Sequence, residues 1–191
     1  MNTIEAISSR YSIREYQEKN VPVEIINRIL AAAIFAPSAK NRQPWKIIVI
    51  QGESKREFNI ELTLVISKCS DITTIQTLET MRQAPVTIFI CYDRIDYQYY
   101  EEEVVVWDMC TKDYEVVDIL SLGALIQNIA LAATDLGIAT LWNCDIYYAY
   151  NDFKKWLNVE FPIVSAISLG YGSEPLPIRL RKLIDQVVIY K

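Results

Sequence analysis

The stretch Asp118-Ile-Leu-Ser-Leu-Gly-Ala-Leu-Ile-Gln-Asn-Ile-Ala-Leu-Ala-Ala-Thr-Asp-Leu-Gly137 decides how the chain folds. Its apolar residues, among them Leu120, Leu122, Leu125, Ile126, Ile129, Leu131 and Ala132, cover nearly every side of a helix. The spacing predicts a helix over Asp118–Leu136 buried at the centre of the molecule, with Gly137 as its C-cap. Such a helix needs other layers around it. Toward the N-terminus, residues 2–9 read as a short helix with Ile4 and Ile7 on one face. Pro22 suits the first position of a second helix, whose stripe is Ile25, Ile26, Ile29, Leu30, Ala33 and Ile34. Pro37 stops it, and a loop feeds a strand over Lys46–Ile50. Helices are expected across 53–66 and 74–83, and Pro85 opens a buried strand, Val86–Cys91. Beyond the central helix, strands are expected at 138–143, 163–169 and 186–190, with a short helix at 150–157. Strands interleaved with helices, without regular βαβ alternation, predict an α+β fold: a mixed sheet covered by helices. The Tyr- and Glu-rich stretch 97–115 receives no assignment.

Composition narrows the chemistry. The 191 residues suit one domain, residues 1–191, and 51% hydrophobic with 23% charged residues fits a packed globule. A net charge of −5 argues against a general nucleic-acid binder, which needs a basic face. Histidine is absent, which removes Ser-His and Cys-His nucleophiles, His-bearing zinc sites and imidazole bases. Catalysis then falls to a borrowed cofactor, carboxylates, Tyr, Lys or Cys. Cys69, Cys91, Cys110 and Cys144 are widely spaced and read as reduced thiols of a cytoplasmic protein. The N-terminus has no basic n-region and apolar h-region of a signal peptide, and no uninterrupted apolar run approaches a membrane span.

Three loops hold polar residues that a core does not require. In Ser9-Arg10-Tyr11-Ser12-Ile13-Arg14, two arginines flank a hydroxyl, a set that suits a phosphate dianion or, alternatively, a solvated helix end. Between Pro37 and Pro44, Ser38, Ala39, Lys40, Asn41, Arg42 and Gln43 either present fixed donors and acceptors to a heteroaromatic ring or form a well-capped connection. Arg179-Leu180-Arg181-Lys182 is the strongest basic cluster, a clamp for an anion or a solubilising tail. Gly170-Tyr171-Gly172 lacks a third glycine and runs into Pro175 and Pro177, so it is no dinucleotide fingerprint, and no P-loop exists.

In this order the segments resemble the FMN-dependent nitroreductase family. Ser9 through Tyr16 resembles its RRSxRxF motif, and Ala36 through Trp45 its APSAxNxQPW loop. Asp118 through Gly137 resembles its central GxxxQNxxLAAxxLG helix, and Leu169 through Gly172 with Arg179–Lys182 its closing GYP…PRxR segment. The resemblance implies a three-layer α/β/α sandwich whose C-terminal arm is swapped in a homodimer, with FMN at the interface. It implies that Arg10, Ser12 and Arg181 hold the FMN phosphate, with Lys182 or Arg179 assisting and Tyr11 beside them. Arg14 would approach the N1–C2=O edge, where a positive charge favours the reduced anionic ring. Pro37, Ser38, Ala39 and Asn41 would come from the partner, and backbone groups of Trp142, Asn143 and Cys144 would face the N5/O4 edge. NADH or NADPH would give a hydride to flavin N5, and a nitroaromatic, quinone or similar flat acceptor would then take its place. No protein side chain is needed as an acid or base. The chain departs from the family where Trp-Ile-Gly is replaced by Trp142-Asn143-Cys144: Cys144 either reshapes the flavin edge or packs as a small core residue. Thr77 and Thr80 are the nearest candidates for ribityl and pyrimidine contacts. Tyr97, Tyr99 and Tyr100 with Trp107 and Tyr114 either stack on a flat substrate or cover the core. A flavin-binding carrier or sensor without turnover is the alternative function.

Overall fold

Strand β2 (Val86–Tyr92) is buried along its whole length, and the rest of the chain is arranged around it. A computed structural model describes residues 1–93, 111–174 and 180–191, the side chains of 111–115 excepted. On one side β2 pairs with β1 (Trp45–Ile50), and on the other with β4 (Ile163–Gly170). β4 in turn pairs with β3 (Ala139–Asn143), giving the order β1-β2-β4-β3 with β3 at an edge. All these pairs are antiparallel, and an isolated bridge from Ser12 to Thr140 adds a parallel contact. Two helices, α3 (Gly52–Lys68) and α4 (Ile72–Gln83), lie between β1 and β2. A helix pair returns the chain to the end it left, so the neighbouring strands oppose, whereas a single crossover helix would make them parallel.

Period-two alternation sorts β2 onto two cores. Ile88 and Ile90 join α2 (Val23–Ala33) and α5 (Thr111–Asp135) through Ile26, Ile29, Leu122, Leu125, Ile126 and Ile129. Phe89 and Cys91 join Phe58 and Leu62 of α3, Leu78 and Met81 of α4, and Phe153 of α6 (Tyr150–Leu157). Phe58 meets Phe89 edge-on at 5.7 Å between ring centroids. Helices on both faces of the sheet make the expected three layers. The N-terminal helix, α1 (Thr3–Ser9), packs on α5 and opens with a reciprocal cap between Asn2 and Glu5.

Two expectations are corrected. No strand forms at 186–190: a short 3-10 turn spans Ile184–Gln186, and Ile189 and Tyr190 are 84% and 87% exposed, with no strand among the described residues paired to them. The central helix begins upstream of Asp118, and it is not buried all round. Leu120, which the spacing placed in the core, is 69% exposed, along with Val116 and Ile119 on the same stretch. Its other side packs on α2 and the sheet, so α5 has one covered and one uncovered apolar flank. By length and composition alone, Val116–Asp135 is also apolar enough to cross a membrane, but Leu122, Leu125, Ile126, Ile129 and Ala133 commit it to the core.

Candidate flavin site

The N-terminal motif is clamped to the edge of the sheet. Ile13 N donates to Thr140 O at 3.0 Å, beside the Ser12–Thr140 bridge, and holds the loop along β3. Tyr16, buried beneath it, donates its hydroxyl to Ile13 O at 3.0 Å and lies 3.3 Å from Ser168 O. Burial pushes its phenol pKa far above the ordinary value, so it stays a neutral donor. The Arg14 backbone N–H donates to Glu174, tying the motif to the segment after β4. Arg10 and Ser12 are half-buried, and Tyr11 packs against the small cluster of Ile13, Tyr16 and Ala84.

Arg14 reaches a polar cavity of about 180 Å³ between α4 and the end of β3. Its walls are Thr73, Gln76, Thr77 and Thr80 on one side and Leu141 through Asp145 on the other. The four α4 residues recur at i, i+3, i+4 and i+7, one polar face of a helix. Thr73, Gln76 and Asp145 were not among the sequence-derived candidates, although that spacing was readable. Asp145 accepts from the Thr77 hydroxyl at 3.3 Å.

Both serines of β4 fix the end of β3. Ser165 Oγ receives the Trp142 indole N–H at 2.6 Å and donates to Asn143 O at 3.1 Å. Ser168 Oγ receives Asn143 Nδ2 at 2.9 Å. Asn143 is 1% exposed, and its Oδ1 has no hydrogen-bond partner. Cys144 is not a core residue: β3 ends at Asn143, and the turn into the 3-10 segment Asp145–Ala149 leaves the thiol exposed. Partial burial, and then the Asp145 carboxylate, raise its pKa, so it is a thiol rather than a thiolate near neutrality.

A second, largely apolar cavity of about 490 Å³ lies against the first. It is bounded by Ile119, Leu120 and Gly123 of α5 and by Trp142, Tyr147 and Val164. Trp142 and Cys144 border both cavities.

The loop after α2 sits elsewhere. Lys40, Asn41 and Gln43 adopt φ of 51°, 56° and 52°, a left-handed run that is costly for residues with a Cβ. Gln43 N donating to Ser38 Oγ at 3.0 Å and a buried ion pair hold it there. Arg42 Nη2 lies 2.6 Å from Asp118 Oδ1 on α5, and Tyr92 donates its hydroxyl to the other carboxylate oxygen at 3.0 Å. Pro37, Ser38, Ala39 and Asn41 border neither cavity of their own chain, nor do Arg181 and Lys182 in the exposed C-terminal segment. Arg179 and the Tyr- and Glu-rich segment with Trp107 lie outside the described residues, as does the side chain of Tyr114.

The donor set suits an anionic heteroaromatic group. Among the described residues no carboxylate pairs with the Arg10 or Arg14 guanidinium, and the Asn143 acceptor is left over beside hydroxyls and an amide. The nitroreductase family profile matches residues 7–171. The chain belongs to the nitroreductase family. A relative from Methanothermobacter thermautotrophicus, provisionally named NADH dehydrogenase/NAD(P)H nitroreductase, is 30% identical over 91% of this chain and 79% of its own. One of the same name from Archaeoglobus fulgidus is 31% identical over 90% and 86%. A nitroreductase from Desulfitobacterium hafniense, solved with bound FMN, is 26% identical and superposes with a TM-score of 0.72 over 100% of this chain and 99% of its own. Within the nitroreductase fold, Arg14, the polar face of α4 and the end of β3 share one cavity.

Proposed function

We propose that this nitroreductase is an FMN-dependent oxidoreductase that uses NADH or NADPH to reduce a flat acceptor such as a nitroaromatic or a quinone. The observation that carries the reading is the polar cavity in which Arg14 meets the α4 hydroxyls and the orphaned Asn143 acceptor. Arg10 and Ser12 hold the phosphate, and Arg14 with Thr77 and Thr80 contacts the polar edge of the ring. Arg181 and Lys182, with Arg179, close over the phosphate from the C-terminal arm. FMN, when bound, supplies the hydride transfer between nicotinamide and acceptor.

The chain's own residues do the rest by placement and polarity. The Arg14 guanidinium stabilises negative charge at the ring edge. Trp142, Tyr147 and Val164 form an apolar wall for a flat substrate. Cys144 stays protonated and offers no nucleophile.

The functional unit we infer is a homodimer. The uncovered flank of α5, with Val116, Ile119 and Leu120, and the exposed arm, with Leu180, Leu183, Ile184, Val187 and Ile189, are apolar surfaces that a second copy would bury. Pro37, Ser38, Ala39 and Asn41 would then complete the partner's site, consistent with their distance from the cavities of their own chain. The free thiols Cys69, Cys91 and Cys144 fit a reducing cytoplasm.

The visible spectrum of purified protein, before and after adding FMN and then anaerobic NADH or NADPH, tests the reading. Flavin bands that bleach with a nicotinamide support the oxidoreductase. Bound flavin that resists bleaching favours a carrier or sensor, and failure to bind FMN overturns the proposal.

A further inference from the structure

Two buried side-chain oxygens lack a hydrogen-bond partner among the described residues, Thr87 Oγ1 and Asn143 Oδ1. Ser168 stands next to both: it pairs in register with Thr87, and its Oγ accepts from Nδ2 of Asn143, which itself pairs with Ala166 two residues along β4. Their surroundings differ. Thr87 is fully buried near the start of β2 and borders neither cavity, whereas Asn143 forms part of the wall of the cavity that Arg14 also lines. A buried acceptor left unpaired costs about 1–3 kcal/mol, so a native chain keeps one where something else satisfies it. For Asn143, the adjoining cavity is the space from which a partner can enter.

We propose that the Asn143 carboxamide, held by Ser168, is a cofactor-reading residue whose Oδ1 accepts a hydrogen bond from a ring N–H of the bound flavin. The inference rests on the FMN reading above. It assigns the side chain of Asn143, not only its backbone, to the site, and it makes Ser168 a positioning residue. Both amide hydrogens lie on Nδ2, and the Ser168 bond directs that end toward β4, so the oxygen end is left for the ligand. The guanidinium of Arg14 and the Asn143 oxygen together match a ring edge that carries a carbonyl beside an N–H. Two ring hydrogens offer that chemistry. The imide N–H is present whether the flavin is oxidised or reduced, and another N–H forms only on reduction.

Asn143→Leu is close to isosteric and removes the polar end without leaving a buried charge. Its affinity for oxidised FMN and the midpoint potential of the bound flavin are measured beside those of the unaltered protein. An imide contact weakens oxidised FMN binding about tenfold in the variant and leaves the potential in place. A contact to the N–H formed on reduction leaves oxidised affinity in place and lowers the potential, by about 30 mV for each tenfold loss. Ser168→Ala moves the same quantity by less. If neither affinity nor potential changes in Asn143→Leu, the inference is overturned. If the unaltered protein binds no FMN, it is the parent reading that falls. Should the variant not fold, the unaltered protein labelled with ¹³C at asparagine carboxamides serves instead: the Asn143 carbon must shift on adding FMN, and a stationary signal overturns the assignment.

Discussion

Arg14 is placed by its neighbours more than by its own side chain. The backbone N–H tied to Glu174 and the Ile13–Thr140 bond set its Cα, and the guanidinium then enters the cavity, where Nη1 lies 3.5 Å from Ser12 O. Arg14→Ala is expected to weaken FMN binding by about 1.5–3 kcal/mol, the worth of a charge-assisted contact, read by fluorescence titration. An unchanged Kd would remove Arg14 from the site. Gly170 is a different kind of residue. A Cβ there would stand 2.5 Å from Pro85 Cδ and 2.9 Å from Tyr16 Cδ1. The proline ring cannot swing away, and Tyr16 supports the Arg10–Arg14 loop. Gly170→Ala should cost about 1–3 kcal/mol in urea unfolding, with a loss of FMN affinity as Tyr16 shifts.

Helix ends carry much of the scaffold. α4 starts at Asp71, whose carboxylate accepts from Thr74 N and Thr74 Oγ1 at 2.7 Å each, and these bonds hold its pKa below the ordinary value. At its other end the buried Lys55 of α3 donates to Met81 O at 2.9 Å and to Arg82 O at 3.3 Å, filling carbonyls that the helix leaves open. Burial, and then the Arg82 charge, lower the Lys55 pKa to about 8 from 10.5. Below pH 8 the ammonium is charged in both states, and the full cost of burying it opposes folding. Between about 8 and 10.5 the unfolded chain binds more protons than the folded one, so stability rises with pH. Against Lys55→Met, which has nothing to titrate, the unaltered protein should gain on the order of 1–3 kcal/mol across that window. Parallel stability curves for the two proteins would discard the assignment.

For the whole molecule, the uncovered apolar surfaces are the dominant fact. Leu180 is 94% and Ile184 71% exposed on the arm, and Phe35 beside the α2 end is 85% exposed. Side chains of this kind remain in water at a cost of about 25 cal/mol per Å², which a second copy would recover. Light scattering is expected to give twice the chain mass even on dilution, as befits a large apolar interface. Truncation after residue 179 should shift the protein toward monomer and reduce FMN retention together. A full-length monomer would remove Pro37, Ser38, Ala39 and Asn41 from the site.

Local periodicity was enough for most elements. The stripe of α2, the continuous apolar run of β2 and the Pro22, Pro37 and Gly137 punctuation depend on neighbours within one turn or strand, and the structure has them close to where the spacing put them. The motif order likewise identified the family and singled out Arg10, Ser12 and Arg14. Three things depended on contacts distant in sequence. Residues 186–190 have strand composition but pair with no strand among the described residues, and β propensity acts only where a partner exists. Leu120 is as apolar as Leu122, yet only the packing of α2 against one side of α5 decides which of the two is covered. The pairing of Asn143 with Ser168, and the polar face of α4 across from them, arises because β4 lies between β2 and β3. A linear pattern carries side-chain type and period, but which groups are left without a partner is settled only when the sheet order brings distant strands together.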